Sequence, residues 1–84
     1  MKLVYFAWLR ERLGTSEESV TLPETVNNVG DLIAWQKKRD EIFADVFENS
    51  EIIQVAINKT LTQARTTTLE NVEEVAFFPP MTGG

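Results

Sequence analysis

The chain has 84 residues, which is enough for a single domain with a modest core. It carries a net charge of −5 and contains neither Cys nor His. The acidic balance argues against nucleic acid as a partner, because phosphate contacts need clustered Lys and Arg. No apolar run approaches the roughly 20 residues that span a bilayer. Without Cys or His, disulfides and thiol chemistry are excluded and no metal site is expected. We expect a cytoplasmic protein.

The first part of the chain predicts two neighbouring strands separated by a short helix. Residues 2–8 are rich in β-branched and aromatic side chains, which is typical of a buried strand. Residues 9–14 favour a short helix, because Gly14 is a natural C-terminal stop. Apolar residues alternate within residues 18–23 until a proline ends the run. A second strand is expected there, close enough to pair with the first.

The strongest helical pattern begins at Asn28. This residue is a suitable N-cap, and apolar side chains follow at helical spacing through residues 29–36. Gln36 falls on the apolar stripe and predicts a looser core at that point. The basic residues 37–39 suit the negative end of the helix dipole better than they suit a binding patch. Residues 41–48 carry a second apolar stripe, which predicts a short helix.

Two strands joined by a tight turn are predicted after the helices. Residues 52–58 are apolar on both alternating faces, which favours a central position in a sheet. A turn is expected at residues 58–60, since asparagine tolerates the left-handed conformation. Residues 61–69 predict a weaker strand at an edge of the sheet.

The last strand is predicted at residues 72–78. Phe77 and Phe78 alternate across it, so Phe77 should face the core and Phe78 the opposite side. The first and last strands are both apolar enough for central positions. A hairpin, a main helix and further strands predict an α+β fold, in which the helix packs on one face of a mixed sheet.

The final residues are predicted to form an extended tail, so we place the domain at residues 1–78 and the tail at residues 79–84. Pro79 and Pro80 cannot donate to a β-ladder and fix φ at about −65°. They therefore end the sheet and stiffen the chain where it leaves the domain.

The two glycines at the tip point to chemistry on the chain terminus. Gly83 and Gly84 carry no Cβ, so this backbone can pass through a narrow channel. The α-carboxylate of Gly84 is the functional group at the tip and is ionised at pH 7. A partner that uses ATP could convert it to an acyl-adenylate, which sulfur or nitrogen could attack. The chain has no Cys nucleophile, His base or P-loop of its own.

Four stretches carry a resemblance to a known family: "VYFAWLRERLG", "TVNNVGDLIAW", "VAIN" and, most specifically, "EVAFFPPMTGG". Together they resemble the small subunit of molybdopterin synthase, a ubiquitin-like sulfur carrier, over nearly the whole chain. The resemblance implies a β-grasp fold. The family usually has a Gly-Asp turn before its last strand, where this chain has Val72 and Glu73. A turn of another type is expected, because a β-branched residue resists positive φ.

The resemblance implies a role in sulfur transfer. A ubiquitin-activating-type adenylyltransferase would adenylate Gly84 with ATP, and a sulfur-transfer protein would convert the adenylate to a thiocarboxylate. The tail would enter the large synthase subunit, where the sulfur would build the molybdopterin dithiolene from cyclic pyranopterin monophosphate. The chain would thus be a non-catalytic sulfur-donor subunit with no permanently bound cofactor, within a heterotetramer that has two large subunits.

The resemblance also implies a set of contact residues. The inserted tail would comprise Gly83 and Gly84 with Pro79, Pro80, Met81 and Thr82. An apolar patch beside the tail would comprise Phe6, Leu61 and Phe78, and Arg10 would lie near the tail's exit. Each of these four also has an ordinary interpretation. Phe6 and Phe78 would be core residues, Leu61 would fill a gap, and Arg10 would be a surface charge.

Three alternatives stay open from the sequence. A thiamin-pathway sulfur carrier also ends in Gly-Gly, but is typically shorter and lacks the Phe-Phe-Pro-Pro stretch. A ubiquitin-like protein modifier shares the chemistry as far as the adenylate. An interaction module would have an inert tail.

Overall fold

The fold is a five-stranded sheet with helices packed on one face. The computed structural model describes residues 1–80, so the predictions for Met81, Thr82, Gly83 and Gly84 lie outside the described residues. The strands are β1 Lys2–Tyr5, β2 Glu17–Ser19, β3 Gln54–Ile57, β4 Thr60–Thr62 and β5 Glu74–Phe78. The helices are α1 Ala7–Leu13, α2 Val29–Lys37 and α3 Glu41–Val46, and a 3-10 turn covers Ser50–Ile52.

The strand order is β2-β1-β5-β3-β4. The pair β1 and β5 is parallel, and the other neighbours are antiparallel. The first strand, the last strand and the "VAI" strand are therefore the three inner strands, as the sequence predicts. The predicted mixed sheet with helices on one face is confirmed, and it has the β-grasp arrangement. None of the helices within residues 1–80 is both long and apolar enough to cross a membrane.

The core lies between the helices and the inner face of the sheet. Tyr5 and Phe77 are neighbours on that face, and their rings stack with centroids 5.8 Å apart. Phe47, which follows α3, packs edge to face on Phe77 at 5.1 Å. Phe77 is fully buried, which confirms its predicted orientation. The remaining large side chains of this core include Leu3, Leu9, Leu32, Ile53, Val55 and Val75.

Helices α2 and α3 begin where the sequence predicts. The Asn28 side chain accepts a hydrogen bond from the Asp31 amide at 2.8 Å, which caps α2. Asp40 caps α3 in the same way, by accepting from the Phe43 amide at 2.9 Å. These caps fix the point at which each helix begins.

The predicted edge strand is only three residues long, and residues 63–69 are not part of it. This segment instead crosses to the start of α2. The Val29 amide donates to the Thr67 carbonyl at 3.0 Å, and the Gly30 amide donates to the Arg65 carbonyl at 2.8 Å. First-turn amides have no partner within their own helix, so the segment satisfies them from outside.

The first two strands also differ from their predicted bounds. β1 ends at Tyr5 rather than at residue 8, because Ala7 takes a left-handed φ of 53° and begins α1. β2 covers Glu17–Ser19, so it starts one residue before the predicted residues 18–23 and ends at Ser19. Val20 and Leu22, whose alternation predicts that strand, follow it as half-buried residues packed on the core.

Two turns depend on residues with positive φ. Asn58 and Lys59 have φ values of 46° and 72°, so the predicted turn between β3 and β4 has two left-handed residues. In the turn before β5, the Val72 amide donates to the Leu69 carbonyl at 3.1 Å. Asn71 takes the positive φ there, at 61°. Val72 therefore does not need a positive φ, which a β-branched residue resists. The turn is of a different type from the family's Gly-Asp turn, as predicted.

Candidate functional site

The candidate site lies at the end of the central strand. β5 runs between β1 and β3 and ends at Phe78, so the chain leaves the sheet from its middle. Pro79 is half-buried and Pro80 is exposed. The tip residues of the proposed tail follow these prolines outside the described part of the chain. The boundary between domain and tail at residue 78 stays a prediction.

Phe6 and Phe78 form an aromatic pair beside this exit. Their ring centroids lie 6.5 Å apart at an interplanar angle of 80°, an edge-to-face contact. Phe6 is 47% exposed and Phe78 is partly buried. Because side chains alternate along strands, both lie on the outer face of the sheet, opposite the helices. Because Phe6 is exposed and Phe78 is only partly buried, the pair is suited to contact a partner beside the chain exit.

Leu61 shares the outer face but stands apart from the aromatic pair. It is 54% exposed on β4, and β3 separates it from β5. The register places Ala56 opposite Leu61 and Ala76 opposite Ala56, with Val4 next in the row. Small side chains thus fill the middle of the face, between Leu61 and Phe78. The three predicted patch residues lie on one surface, and Phe6 and Phe78 are the two whose rings are in contact.

The outer face becomes charged toward its other end. Lys2 forms ion pairs with Glu17 at 3.2 Å and with Glu74 at 3.8 Å. Lys2 and Glu74 lie at the opposite end of β1 and β5 from the aromatic pair, and Glu17 reaches Lys2 from β2, where its backbone pairs with Val4. The outer face therefore has a polar end and an apolar end, and the tail leaves from the apolar end.

Arg10 lies on α1, about one helical turn beyond Phe6, and its side chain is exposed. Within residues 1–80 its guanidinium has no ion-pair partner at 4.0 Å or less. The neighbouring Arg12 is paired with Asp45 of α3. The predicted place of Arg10 near the tail depends on residues beyond 80 and stays a prediction.

A buried polar network supports β1 beneath the site. Gln36 of α2 is fully buried, and its Nε2 donates to the Tyr5 hydroxyl at 2.8 Å. The hydroxyl donates to Glu18 Oε2 at 2.7 Å. Arg39 donates to both Glu18 oxygens, at 2.7 and 2.8 Å, and to Gln36 Oε1 at 3.0 Å. Every buried polar side-chain atom in the described part of the chain has a partner. The looser core predicted at Gln36 is therefore wrong.

The network shifts the ionisation of its members. Burial raises the pKa of the Tyr5 phenol, so it stays a neutral donor. The hydrogen bonds from Arg39 lower the pKa of Glu18. The Arg39 guanidinium also lies 4.9 Å from the ring centre of Trp35 and 4.1 Å from that of Phe43. The basic run at the end of α2 thus includes a structural arginine, which its sequence does not reveal.

The described residues provide an apolar surface beside the point where the chain leaves the sheet. Within residues 1–80 no group of three or more His, Cys, Asp or Glu side chains could hold a metal ion. The geometry does place the end of a central strand beside exposed aromatic rings. This arrangement suits contact between a partner and the point where the chain leaves the sheet.

Comparison with known proteins places the chain in a family. The model of the ThiS family matches residues 3–84. The chain belongs to the ThiS family. A curated relative is the molybdopterin synthase sulfur carrier subunit of Escherichia coli (strain K12). The two are 35% identical over 85 residues, which cover 100% of this chain and 99% of the relative.

Two solved structures share the fold of this ThiS-family chain. SAMP1 from Haloferax volcanii has a TM-score of 0.66 and 23% identity, over 100% of this chain and 98% of that one. A protein from Pyrococcus furiosus, described as a candidate molybdopterin converting factor subunit 1, has a TM-score of 0.64 and 23% identity. That match covers 95% of each chain. At this identity the two likenesses establish the fold.

Proposed function

We propose that this ThiS-family chain is the sulfur-carrier subunit of a molybdopterin synthase, with the sulfur held as a thiocarboxylate on Gly84. The observation that carries the proposal is the 35% identity, over the full length of the chain, to a molybdopterin synthase sulfur carrier subunit. The exit of the chain from the central strand, beside Phe6 and Phe78, supports it.

The chemistry rests on activation of a carboxylate. An oxygen of the Gly84 carboxylate attacks the α-phosphorus of ATP on a ubiquitin-activating-type adenylyltransferase, which forms an acyl-adenylate and releases pyrophosphate. Sulfide-level sulfur from a sulfur-transfer protein then attacks the acyl carbon. The carbon–sulfur bond forms, the carbon–oxygen bond to AMP breaks, and AMP leaves with the electron pair. The product is a thiocarboxylate on a chain that contains no cysteine.

The sulfur is then used in the large synthase subunit. The thiocarboxylate sulfur attacks a carbon of cyclic pyranopterin monophosphate, a carbon–oxygen bond at that carbon breaks, and the oxygen leaves with the electron pair. Water then cleaves the acyl–sulfur bond. This leaves sulfur on the substrate and restores the carboxylate of Gly84. Repetition supplies both sulfurs of the dithiolene. ATP is used by the activating partner, and the carrier needs no permanently bound cofactor.

The described surface suggests how partners dock. The large subunit covers the apolar end of the outer face, where Phe6 and Phe78 form the anchor and Leu61 extends the contact. Pro79 and Pro80 direct the tail, and Met81, Thr82 and Gly83 thread it into the active site. Arg10 contributes a positive charge beside this path. Two copies of each subunit form the heterotetramer.

Intact mass tests the proposal directly. Incubation with the adenylyltransferase, ATP and a sulfur source should add about 16 Da, because one oxygen is replaced by sulfur. The matched control lacks Gly84 and should gain no mass. A missing shift, or an equal shift without Gly84, contradicts the carrier proposal. Addition of one residue after Gly84 should abolish activation and leave the thermal melting curve unchanged.

The same experiment separates the alternatives. Covalent adducts on lysines of other proteins would identify a ubiquitin-like modifier. Sulfur transfer to a thiazole precursor, with none to cyclic pyranopterin monophosphate, would identify a thiamin-pathway carrier. Only molybdopterin formed with the large subunit supports the full proposal.

A further inference from the structure

Ala7 has an unusual backbone conformation for its place in the fold. Its φ is 53°, in the left-handed region that residues other than Gly, Asn and Asp rarely adopt. The other residues of positive φ among residues 1–80 lie in turns or at the end of a helix: Asn58, Lys59, Asn71 and Gly14. Ala7 alone in this part of the chain lies where a strand passes into a helix. Strain of this kind persists where the surrounding structure requires it.

The conformation ends β1 at a specific point. Phe6 still follows the ladder, since its φ and ψ are −121° and 158° and its amide donates to the Phe77 carbonyl at 3.1 Å. Extending the parallel register places Phe6 beside Phe78 and Ala7 beside Pro79. Pro79 has no amide hydrogen, so it cannot donate the next ladder hydrogen bond between the two strands. The left-handed turn takes the chain away into α1 at this residue.

We infer that Ala7 is a positioning residue, whose left-handed conformation holds Phe6 against Phe78 and so shapes the surface that the large subunit contacts. The chain leaves the sheet directly after Phe6, which leaves that ring 47% exposed and in edge-to-face contact with Phe78. The inference rests on the proposed function for the identity of the partner. Its structural part, the link from Ala7 to the aromatic pair, concerns the free protein alone.

The exposure of Ala7 allows a matched pair of substitutions. Asparagine tolerates the left-handed region, whereas threonine, which is similar in size, is β-branched and resists it. Because the side chain at this position points into solvent-accessible space, the two variants differ mainly in backbone preference. Ala7→Asn should therefore preserve the aromatic pair, and Ala7→Thr should disturb it.

Two measurements test the inference. In the free protein, nuclear Overhauser contacts between the rings of Phe6 and Phe78 should persist in Ala7→Asn and weaken or vanish in Ala7→Thr. Affinity for the purified large subunit should stay within about twofold for Ala7→Asn. It should fall about tenfold for Ala7→Thr. If Ala7→Thr does not fold, Ala7→Val, which is also β-branched, takes its place.

A double-mutant cycle shows whether Ala7 acts through Phe6. In a Phe6→Ala background, Ala7→Thr should cause no further loss of affinity. An equal loss in both backgrounds, or ring contacts that persist in Ala7→Thr, overturns the inference. So does failure of both Ala7→Thr and Ala7→Val to fold, which would assign Ala7 to stability alone. If the unmodified protein does not bind the large subunit, the proposed function fails, and the ring contacts in the free protein still decide the role of Ala7.

Discussion

Phe6 and Phe78 meet edge to face on the outer face of the sheet, with their centroids 6.5 Å apart, directly behind the stacked rings of Tyr5 and Phe77. The pair of Tyr5 and Phe77 lies on the inner face of the sheet, and the pair of Phe6 and Phe78 lies next to it on the outer face. The inner pair is almost completely buried, and the outer pair is left accessible where the chain leaves the domain. One pair of strands therefore supplies core residues on one face and, in the proposed function, partner-contact residues on the other.

This division predicts opposite effects of substitution at neighbouring positions. Phe78→Ala should weaken binding of the large subunit by about tenfold or more and lower the melting temperature only slightly. Phe77→Ala is the matched control and should lower the free energy of unfolding by about 3–5 kcal/mol, because it leaves a cavity in the core. Thermal melting and titration of the large subunit measure the two effects. A large loss of stability in Phe78→Ala would show that this residue serves the core.

A second prediction concerns the buried hydrogen bond between Gln36 and Tyr5. Tyr5→Phe removes the acceptor of Gln36 Nε2, so the unpaired amide should cost about 1–3 kcal/mol. Gln36→Leu should also destabilise, since Arg39 loses an acceptor. The double variant contains neither the Gln36 amide nor the Tyr5 hydroxyl, so neither is left without its partner. Its free energy of unfolding should fall by about 1 kcal/mol less than the sum of the two single losses. Urea unfolding of the four proteins measures this, and additive losses would show that the bond is not coupled.

The ion pair of Glu18 with Arg39 predicts an acid-sensitive contribution to stability. Hydrogen bonds from Arg39 lower the pKa of Glu18 in the folded protein below its ordinary value of 4.5. The unfolded chain therefore takes up this proton at a higher pH than the folded protein does. The contribution is complete above about pH 4.5 and is lost as the pH falls through the lowered folded value.

Melting temperatures measured from neutral to acid pH test this contribution. Glu18→Gln should be less stable than the unmodified protein near neutrality, and the difference should narrow as the pH falls below about 4.5. Glu24→Gln removes an exposed carboxylate and provides the control. A difference that stays constant with pH would show that the charge of Glu18 does not provide the stabilisation.

Local signals in the sequence were sufficient where one residue determines the structure. Asn28 predicts the start of α2 because its side chain caps the nearby amide of Asp31. Alternation predicts the opposite orientations of Phe77 and Phe78. Phe6 and Leu61 are exposed on the outer face, and their assignment to a partner surface stays a prediction.

Long-range pairing explains what the sequence could not predict. Residues 63–69 include three consecutive threonines and read as a strand, but two carbonyls of this segment instead accept hydrogen bonds from free amides at the start of α2. In the sequence, Gln36 interrupts an apolar stripe. Its hydrogen-bond partners are Tyr5, which is distant in the sequence, and Arg39, which no sequence pattern marks as a partner. The left-handed conformation of Ala7 has no local signal, because alanine favours helix. It arises where the strand must end.

A final prediction concerns the turn between β3 and β4. Lys59 has a φ of 72°, a conformation in which its Cβ is unfavourable and glycine is preferred. Lys59→Gly should raise the free energy of unfolding by about 0.5–1 kcal/mol, since relief of the strain exceeds the entropy that glycine adds to the unfolded chain. Lys59→Ala keeps the Cβ and removes the same charge, so it should not be stabilising. Lys37→Gly at the end of α2 should instead lower stability by up to about 1 kcal/mol. Chemical unfolding of these variants measures the differences, and equal effects of Gly and Ala at position 59 would rule out backbone strain as the cause.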